Sequence, residues 1–534
     1  MRPLRRFALP LPLICTSLVV VLGAACAGFM SGGSASPGEN DGPVNQGAPL
    51  PSRTDGNVAL GREVFHFETF GNEGFFTDAL RLPAGMMAAG VTPRQMLALG
   101  VNINLDSVPA QIRASLTSNP ASVLDNPAMV IALLNANSVI GMPVKDSNRD
   151  GVLDIARGDK VGTSCALCHT LARRDAVYSD PNGGSIGRRE DGLAVHNLNF
   201  GKIAATAANS RALYPLLQLS LAANGGKTLG RAPTGLTENS SEAEVDAYLS
   251  NPQFYPVGMF DDTFDGNGDP MHITPLFRQD LAGPFGSEGM IARLDNFSNV
   301  VYTGLFDPTN LTTPGGRAFL MKLGGAAGVE IADDYVKVLA ETGVTGYPFV
   351  RLAPSPKAGT EDAPLGIRVG DRELFAMNAY LVQLPAPAGS GGNAQGRALF
   401  ATAGCVSCHN TSQARPVPTT IVAMKTIFPG DSPDTLAQRM PPLNPVVNTA
   451  NSIFDDKMAV VNASLRGEKR GIALPLLLDL ARKPVFLHDN SVASLDELLS
   501  PSRGSSAPHP FYISNGGDRA AMVAYLRGLD TRSR

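Results

Sequence analysis

This sequence has no tryptophan, and it has only 7 histidines and 6 cysteines in 534 residues. It also has no excess of positive charge, because 44 lysines and arginines stand against 48 aspartates and glutamates. A nucleic-acid partner is therefore not expected, since the chain cannot neutralise a phosphate backbone. Runs of alternating β-branched residues are scarce, which argues against a fold built mainly from β-sheets. The apolar fraction, 43%, is nevertheless large enough to bury one or two sizeable cores.

The N-terminus has the pattern of an export signal. Three arginines precede an apolar run from Leu9 to Ala25, which is too short and too clearly bounded for a membrane-spanning anchor. Two alanines precede Cys26, as in a bacterial lipoprotein signal, so we expect residues 1–26 to direct export and Cys26 to carry lipid. Ordinary cleavage near Ala27, without lipid, is the alternative. The expected location is the bacterial periplasm or cell envelope, with the lipid as the only attachment to a membrane.

The four cysteines beyond the signal form two motifs of the same design. In each motif two cysteines lie three positions apart and a histidine follows the second: Cys165, Cys168 and His169, and Cys405, Cys408 and His409. This is the c-type haem attachment pattern, because two thiols at that spacing reach the two vinyl groups and the next residue turns its imidazole onto the iron. One zinc site built from both pairs, two redox-active disulfides and structural bridges are alternatives, but none requires a histidine after each pair. The sequence therefore predicts two covalently bound c-type haems.

Amphipathic helical patterns open and close two regions around these motifs, which predicts two haem domains. The fold class is mainly α, with two cytochrome c-like haem domains and long loop-rich insertions in the first, as 56 glycines and 41 prolines indicate. Capping boxes that begin at Thr92, Ser241 and Ser494 mark helix starts. The expected order is a flexible tether over 27–56, the enlarged first domain over 57–386, a linker over 387–393 and the second domain over 394–534.

The segment from Pro484 to Leu499 carries a family resemblance. Its His488, its Asn-Ser-Val and its paired leucines, followed by His509-Pro-Phe, resemble the rubber-oxygenase branch of the di-haem cytochrome c peroxidase superfamily. The resemblance implies an exported, mostly helical protein with one haem for chemistry and one for electron exchange. We expect the first haem, with His169 as its catalytic ligand, to be the reactive one. Members of the superfamily often carry a tryptophan between the haems as a relay, and here a tyrosine or phenylalanine would have to substitute for it.

The sixth position of each iron separates two functions, because a protein ligand there favours electron transfer and an open position admits peroxide or oxygen. His488 is the predicted second ligand of the second haem, since it precedes a capped helix in the same domain and matches the family segment. The alternative ligand is Met440, because small class I cytochromes use a methionine thioether after the haem motif as the second ligand. His196 is a weaker candidate near the first haem. Candidate partners for the haem propionates are Arg188, Arg189 and Arg211.

A calcium loop is predicted shortly before the first motif. It alternates oxygen donors and has glycine at its sixth position: Asp146, Asn148, Asp150, Gly151 and Asp154. The spacing is that of a calcium loop without the distal glutamate of a full EF-hand, and a solvated Asp/Asn turn is the alternative. A calcium ion there would brace the loop that carries the first haem. A second run, from Asp265 to Asp269, has the same alternation but no continuation.

Together these features predict an oxidoreductase of the peroxidase or oxygenase type. The first haem would bind peroxide or oxygen, and the second would exchange electrons with a small redox protein. The alternative is a non-catalytic, membrane-tethered electron-transfer cytochrome in which both irons are six-coordinate. The large first domain favours the enzyme, since a carrier needs little beyond a haem and an exposed edge.

Overall fold

The structure is a computed structural model, and it describes residues 43–45, 52–217, 236–252, 254–260, 271–286, 291–354, 357–390, 392–411, 420–423, 471–487, 492–504, 509 and 511–529. Of these residues 45% are helical and 10% lie in strands, which confirms the predicted helix-rich class. Contacts divide the chain into Met1–Ala35, outside the described residues, and Ser36–Arg534. None of the helices in the described ranges combines the length and the apolar composition that a bilayer crossing requires.

The α-helices are mostly short and are joined by irregular segments. They are α1 (Val58–Phe67), α2 (Leu82–Ala88), α3 (Pro93–Ala98), α4 (Ala110–Ser118), α5 (Pro120–Leu124), α6 (Ala128–Asn135), α7 (Ala166–His169), α8 (Phe200–Ala204), α9 (Glu242–Ser250), α10 (Leu294–Val300), α11 (Pro314–Gly324), α12 (Ala326–Glu341), α13 (Asp371–Leu381), α14 (Ala394–Thr402), α15 (Leu495–Leu498) and α16 (Gly516–Arg527). Short 3-10 turns occupy Leu105–Ser107, Ile155–Arg157, Ser210–Leu216, Pro308–Thr312, Cys405–Ser407 and Pro501–Arg503. Two π-helical turns occupy Phe75–Ala79 and Val301–Leu305.

The strands are β1 (Pro43–Asn45), β2 (Ile103–Asn104), β3 (Val144–Lys145), β4 (Lys160–Val161), β5 (Thr170–Ser179), β6 (Ser185–Asp191), β7 (Met259–Phe260), β8 (Met271–His272), β9 (Thr420–Ala423) and β10 (Gly471–Ala473). They form small sheets in the orders β1-β9-β10, β2-β6-β5, β3-β4 and β7-β8. The hairpin of β5 and β6 begins directly after His169, and β2 pairs with β6 in parallel. Sequence reasoning missed this hairpin, although Pro181-Asn-Gly-Gly184 between its strands is a turn signal.

Two of the predicted capping boxes form completely. The hydroxyls of Thr92 and Ser241 accept the backbone N–H three residues later, and Gln95 and Glu244 reach back to the caps. At α15 the box is incomplete, because Ser494 caps the helix while the carboxylate of Glu497 accepts from the backbone N–H of Ala493 instead. Side-chain hydrogen bonding therefore caps the helices at all three positions that the sequence predicts.

Buried apolar side chains form two separate cores. The first core is built from residues between Val64 and Ala386, and the second from residues between Phe400 and Leu529. Both cysteines of the first motif pack against the first core, and Cys405 packs against the second. Each haem motif thus lies in its own core.

Both cores contain the same helix crossing. In the first, α1 crosses α13, where Gly61 packs on the backbone of Ala376 and the Phe65 and Tyr380 rings lie 5.7 Å apart at 57°. In the second, α14 crosses α16. Gly396 packs there on the backbone of Ala521, and the rings of Phe400 and Tyr525 lie 5.7 Å apart at 62°. A side chain at either glycine would overlap a backbone carbonyl, so the close approach requires glycine at both positions.

A second element also occurs twice. Phe285 pairs with Ile291 through an isolated antiparallel bridge, and Phe486 pairs with Val492 in the same way. Seven residues before each phenylalanine the chain adopts positive φ, 49° at Arg278 and 57° at Asp479. The bridge and the helix crossing recur in the same order along the chain, so the structure contains an internal repeat.

We expect Gly61→Ala to destabilise the protein by about 1–3 kcal/mol, because the added methyl group would overlap the carbonyl oxygen of Ala376. The better helix propensity of alanine, about 1 kcal/mol, offsets only part of this loss. Gly516→Ala is the matched control, since nothing lies within 4 Å of its Cβ position. Urea denaturation of the two variants measures the difference. Equal midpoints would contradict the crossing described here.

The segment predicted as a flexible tether, 27–56, is described only at residues 43–45 and from residue 52 onward. Residues Pro43–Asn45 form β1 and pair with β9. Nearer α1, the guanidinium of Arg53 lies 4.5 Å from the ring centre of Phe375, and the carbonyl of Arg53 accepts a 2.9 Å hydrogen bond from Asn378. A cation over an aromatic ring and a satisfied carbonyl hold this end of the segment on α13.

Candidate haem centres

Buried hydrogen bonds fix the two residues that precede the first motif. The side chain of Asn72 bonds to both the N–H and the carbonyl of Thr163, at 2.9 Å each. Ser164 donates to the carbonyl of His66 at 2.8 Å, and α7 begins after Cys165. The attachment segment is thereby held against α1.

Both thiols of this motif are half-buried and neutral. The Sγ of Cys165 lies 3.4 Å from the hydroxyl of Tyr302 and 3.9 Å from the Sδ of Met377. Burial raises the pKa of Cys165 to about 11 and that of Cys168 to about 12. The two cysteines are free rather than joined by a disulfide.

The imidazole of His169 is buried in an apolar setting. Burial lowers its pKa to about 4, and a hydrogen bond to the backbone of Thr274 offsets this only in part. Within the described chain its Nδ1 has no hydrogen-bond partner. A buried ring nitrogen without a partner is costly unless a further group binds the ring, so the site fits a metal-bound imidazole.

A buried polar network centred on Asp191 lies next to the first motif. His66 lies 2.9 Å from a carboxylate oxygen of Asp191, and the hydroxyls of Tyr380 and Thr170 also donate to this carboxylate. Although burial acts to raise it, the hydrogen bond from His66 holds the pKa of Asp191 down at about 2. Because Thr170 follows His169 directly, this network fixes the start of β5 relative to α1 and α13.

The second motif lies at the edge of its core. Cys405–Ser407 form a 3-10 turn after Gly404, and the N–H of His409 donates to the carbonyl of Cys405 at 2.9 Å. Val406, between the two cysteines, is 57% exposed. Cys405 and Cys408 are also free thiols. The second attachment segment is thus far more open to solvent than the first.

His409 faces another histidine. The rings of His409 and His509 have their centres 6.1 Å apart, with their planes inclined at 47°. Two imidazoles that bind one metal from opposite sides have centres about 6 Å apart, since each metal–nitrogen bond is about 2 Å and each nitrogen lies about 1 Å from its ring centre. Burial, with a smaller contribution from His509, lowers the pKa of His409 to about 4, so its imidazole is neutral and able to bind a metal.

The two sequence-predicted ligands of the second haem, His488 and Met440, lie outside the described residues, as does the run from Asp265 to Asp269. His196 is described, and it lies near enough to His169 to contribute to the lowering of its pKa. Sequence reasoning did not single out His509 as a ligand. The only sequence feature that pointed to His509 was its place directly after the segment that carries the family resemblance.

The predicted propionate partners are engaged elsewhere. Arg188 lies 3.3 Å from Asp106 and 3.6 Å from Asp175. Arg211 pairs with Glu341 at 2.8 Å, and the guanidinium of Arg189 lies 5.9 Å from the ring centre of Phe67. Arg188 and Arg211 therefore already have carboxylate partners within the protein.

The predicted calcium loop is closed by the pairing of β3 with β4. The carboxylate of Asp146 accepts the backbone N–H groups of Asp150 and Gly151, and Asp150 pairs with Arg157 at 2.7 Å. Asp159, which sequence reasoning missed, is 1% exposed and accepts from the backbone of Asp154 at 2.8 Å. In the described ranges no group of three or more His, Cys, Asp or Glu side chains has a metal-binding arrangement. The loop holds itself together by hydrogen bonds.

Comparison of the chain with protein-family models, with curated proteins and with solved structures finds no match.

Proposed function

We propose that this protein is an exported di-haem c-type cytochrome of the di-haem peroxidase and oxygenase kind. The observation that carries the proposal is the 6.1 Å spacing of His409 and His509 beside two free thiols, in one half of an internal repeat. The other half has the same helix crossing and its own pair of thiols with a following histidine. A repeat of this kind supports two cytochrome c-like domains, one for each haem.

The two sites differ in a way that supports a division of labour. The first motif is enclosed by the larger core, and Tyr302 covers the sulfur of Cys165. The second is at a surface, with Val406 exposed and His509 facing His409. An iron with imidazoles on both sides exchanges electrons without binding small molecules, whereas an enclosed site excludes water from a reaction.

The residues of the first site would hold a haem in a defined way. Cys165 and Cys168 would carry it through two thioethers, and His169 would present a neutral imidazole because burial keeps its pKa far below 7. The haem would supply the binding and reduction of peroxide or oxygen. Asp191, through Thr170 and His66, keeps the histidine end of the motif in place. The electron partner would be a small redox protein that meets the exposed second site.

The wild-type protein should bind one carbon monoxide molecule for every two haems when it is reduced. The first iron is expected to be open, and the second is expected to be closed by two imidazoles. An optical titration of the reduced protein with carbon monoxide, together with spectra of the oxidised protein before and after peroxide, measures this. A wholly low-spin protein that binds no carbon monoxide and does not respond to peroxide would favour the tethered electron carrier.

Calcium remains a second proposed cofactor. If the loop from Asp146 to Asp154 binds calcium only when folded, calcium stabilises the first core by mass action. Exhaustive chelation should then lower the melting temperature, and Asp146→Asn should abolish the effect. Asp180→Asn is the matched control, since Asp180 also accepts a backbone N–H in a surface turn, from Asn182 at 2.9 Å. An unchanged melt after chelation would support the solvated turn.

The export signal and the lipid on Cys26 also remain proposals, and both lie outside the described residues. They are consistent with covalent haem attachment, which takes place outside the cytoplasm. Lipid would hold the protein at a membrane surface near its redox partner.

A further inference from the structure

Five basic side chains from separate parts of the chain gather beside the first motif. This basic cluster consists of Arg173, His196, His272, Arg482 and Lys483. The Nζ of Lys483 lies 2.9 Å from the Nε2 of His272, and Arg482 pairs with Asp479 at 2.7 Å. Burial, followed by the charges of Lys483, Arg173 and Arg482, lowers the pKa of His196 to about 4. Three cations therefore act on one neutral imidazole.

Three observations place the basic cluster near the motif histidine, His169. Arg173 is on β5, which begins directly after His169. His196 lies within electrostatic reach of the His169 imidazole. His272 precedes Thr274 by two residues, and the backbone of Thr274 hydrogen-bonds to that imidazole. The cluster thus lies near the His169 imidazole.

Arg482 and Lys483 come from a segment that lies between the two cores. Leu478 of this segment packs against the first core, while Leu477, Leu480 and Leu487 pack against the second. These two cations follow the second haem motif in the sequence, yet they act on a histidine of the first core. The basic cluster is therefore located where the two cores meet.

The arrangement of charge favours an anionic ligand. Burial lowers the pKa of Arg173, and the like charge of Arg482, its strongest charged neighbour, adds to this, while Glu190 and Asp479 act in the opposite direction. The cluster thus has three cations, Arg173, Arg482 and Lys483, near two carboxylates. Cations that crowd one another are stabilised when an anion binds between them. A haem carries two propionate carboxylates, and arginine and lysine are the side chains that bind carboxylates best, by donating charge-assisted hydrogen bonds.

We propose that the basic cluster binds the propionate carboxylates of the haem attached at Cys165 and Cys168, with Arg173, Arg482 and Lys483 as donors. This inference rests on the proposed function, because it requires a haem at the first motif. It assigns a haem-binding role to residues that follow the second motif. It also replaces Arg188, Arg189 and Arg211 as the propionate partners.

The test is the midpoint potential of the first haem in Arg482→Gln and Lys483→Gln, measured by optical redox titration of the holoprotein. Both variants should lower this potential, since loss of a cation beside the carboxylates favours the more positive ferric state. The same substitutions in a Cys405→Ala, Cys408→Ala background leave only the first haem and so identify which haem responds. The potential of the second haem should not change.

Arg317→Gln is the matched control, because Arg317 and Arg482 have the same 31% side-chain exposure and each pairs with an aspartate. Arg173→Gln, at an exposed strand position, is the second variant should Arg482→Gln not fold. First-haem potentials that shift no more than in the control, or a shift confined to the second haem, would overturn the inference. A wild-type protein whose mass includes no haem would instead refute the proposed function itself.

Discussion

Replacing Cys405 and Cys408 together by alanine should leave the protein with one covalent haem instead of two. The two motifs lie in separate cores, so each attachment is expected to be independent of the other. Intact mass spectrometry measures the result directly, because each covalent haem adds about 0.6 kDa to the polypeptide. The wild-type protein should carry about 1.2 kDa of haem.

The matched experiment replaces Cys165 and Cys168 by alanine. This variant should also lose one haem, and it should be the less stable of the two. The thiol of Cys165 contacts Tyr302 and Met377, whereas Val406 in the second motif is exposed. A haem that fills the larger core contributes more buried apolar surface, and its loss leaves a cavity. Zinc in place of haem in the wild-type protein, or loss of both haems in either variant, would contradict this account.

Much of this fold follows from local sequence. Helices α1 and α13 lie at the beginning and end of the region predicted as the first domain, and α14 and α16 at the beginning and end of the second. The hydroxyl caps at Thr92 and Ser241 form as expected because capping depends on residues three positions apart. Haem motifs are likewise local, since their chemistry requires fixed spacing.

The internal repeat is also visible in the sequence. Gly61-Arg-Glu-Val-Phe65 matches Gly396-Arg-Ala-Leu-Phe400, and Met377-Asn-Ala-Tyr-Leu381 matches Met522-Val-Ala-Tyr-Leu526. Alignment of the two halves of the chain therefore places a glycine of the opening helix and a tyrosine of the closing helix at equivalent positions in each. The crossing itself, in which each glycine meets the backbone of the closing helix, is a contact between residues more than 100 positions apart, and no local pattern specifies it.

Long-range electrostatics could not be predicted in the same way. Arg173 and Arg482 are more than 300 positions apart, and the sequence around each residue does not indicate that the two lie close together in the fold. The predicted propionate partners are arginines close to the first motif in sequence, and Arg188 and Arg211 lie beside carboxylates, as Arg482 does. Proximity along the chain could not indicate Arg482, because the segment that carries it returns from beyond the second motif.

The proposed ligand His509 could not be selected from local sequence either. Sequence reasoning selected His488 because it precedes a capped helix and matches a family segment, and both criteria are local. His509 is 100 positions after His409, and only the fold shows that the two rings face each other. The ring of His509 also lies 5.2 Å from that of Phe511, an edge contact that helps to set its orientation.

His509→Ala should raise the number of carbon monoxide molecules bound by the reduced protein from one to two. With the imidazole opposite His409 removed, the second iron is expected to lose its sixth ligand and to become open to small molecules. The oxidised protein should gain a second high-spin component in its optical spectrum. Added imidazole should reverse both changes in the variant, because it can occupy the space left by the side chain.

His488→Ala is the decisive comparison, since it removes the ligand that the sequence favoured. If His509 binds the second iron, His488→Ala should retain one carbon monoxide site and the wild-type spectrum, and Met440→Ala should do the same. The reverse result, with His488→Ala opening the second haem and His509→Ala leaving it closed, would show that the ring spacing of 6.1 Å does not reflect a shared metal. Either result assigns the ligand, because a neutral imidazole on each side of the iron is what separates an electron-transfer haem from a reactive one.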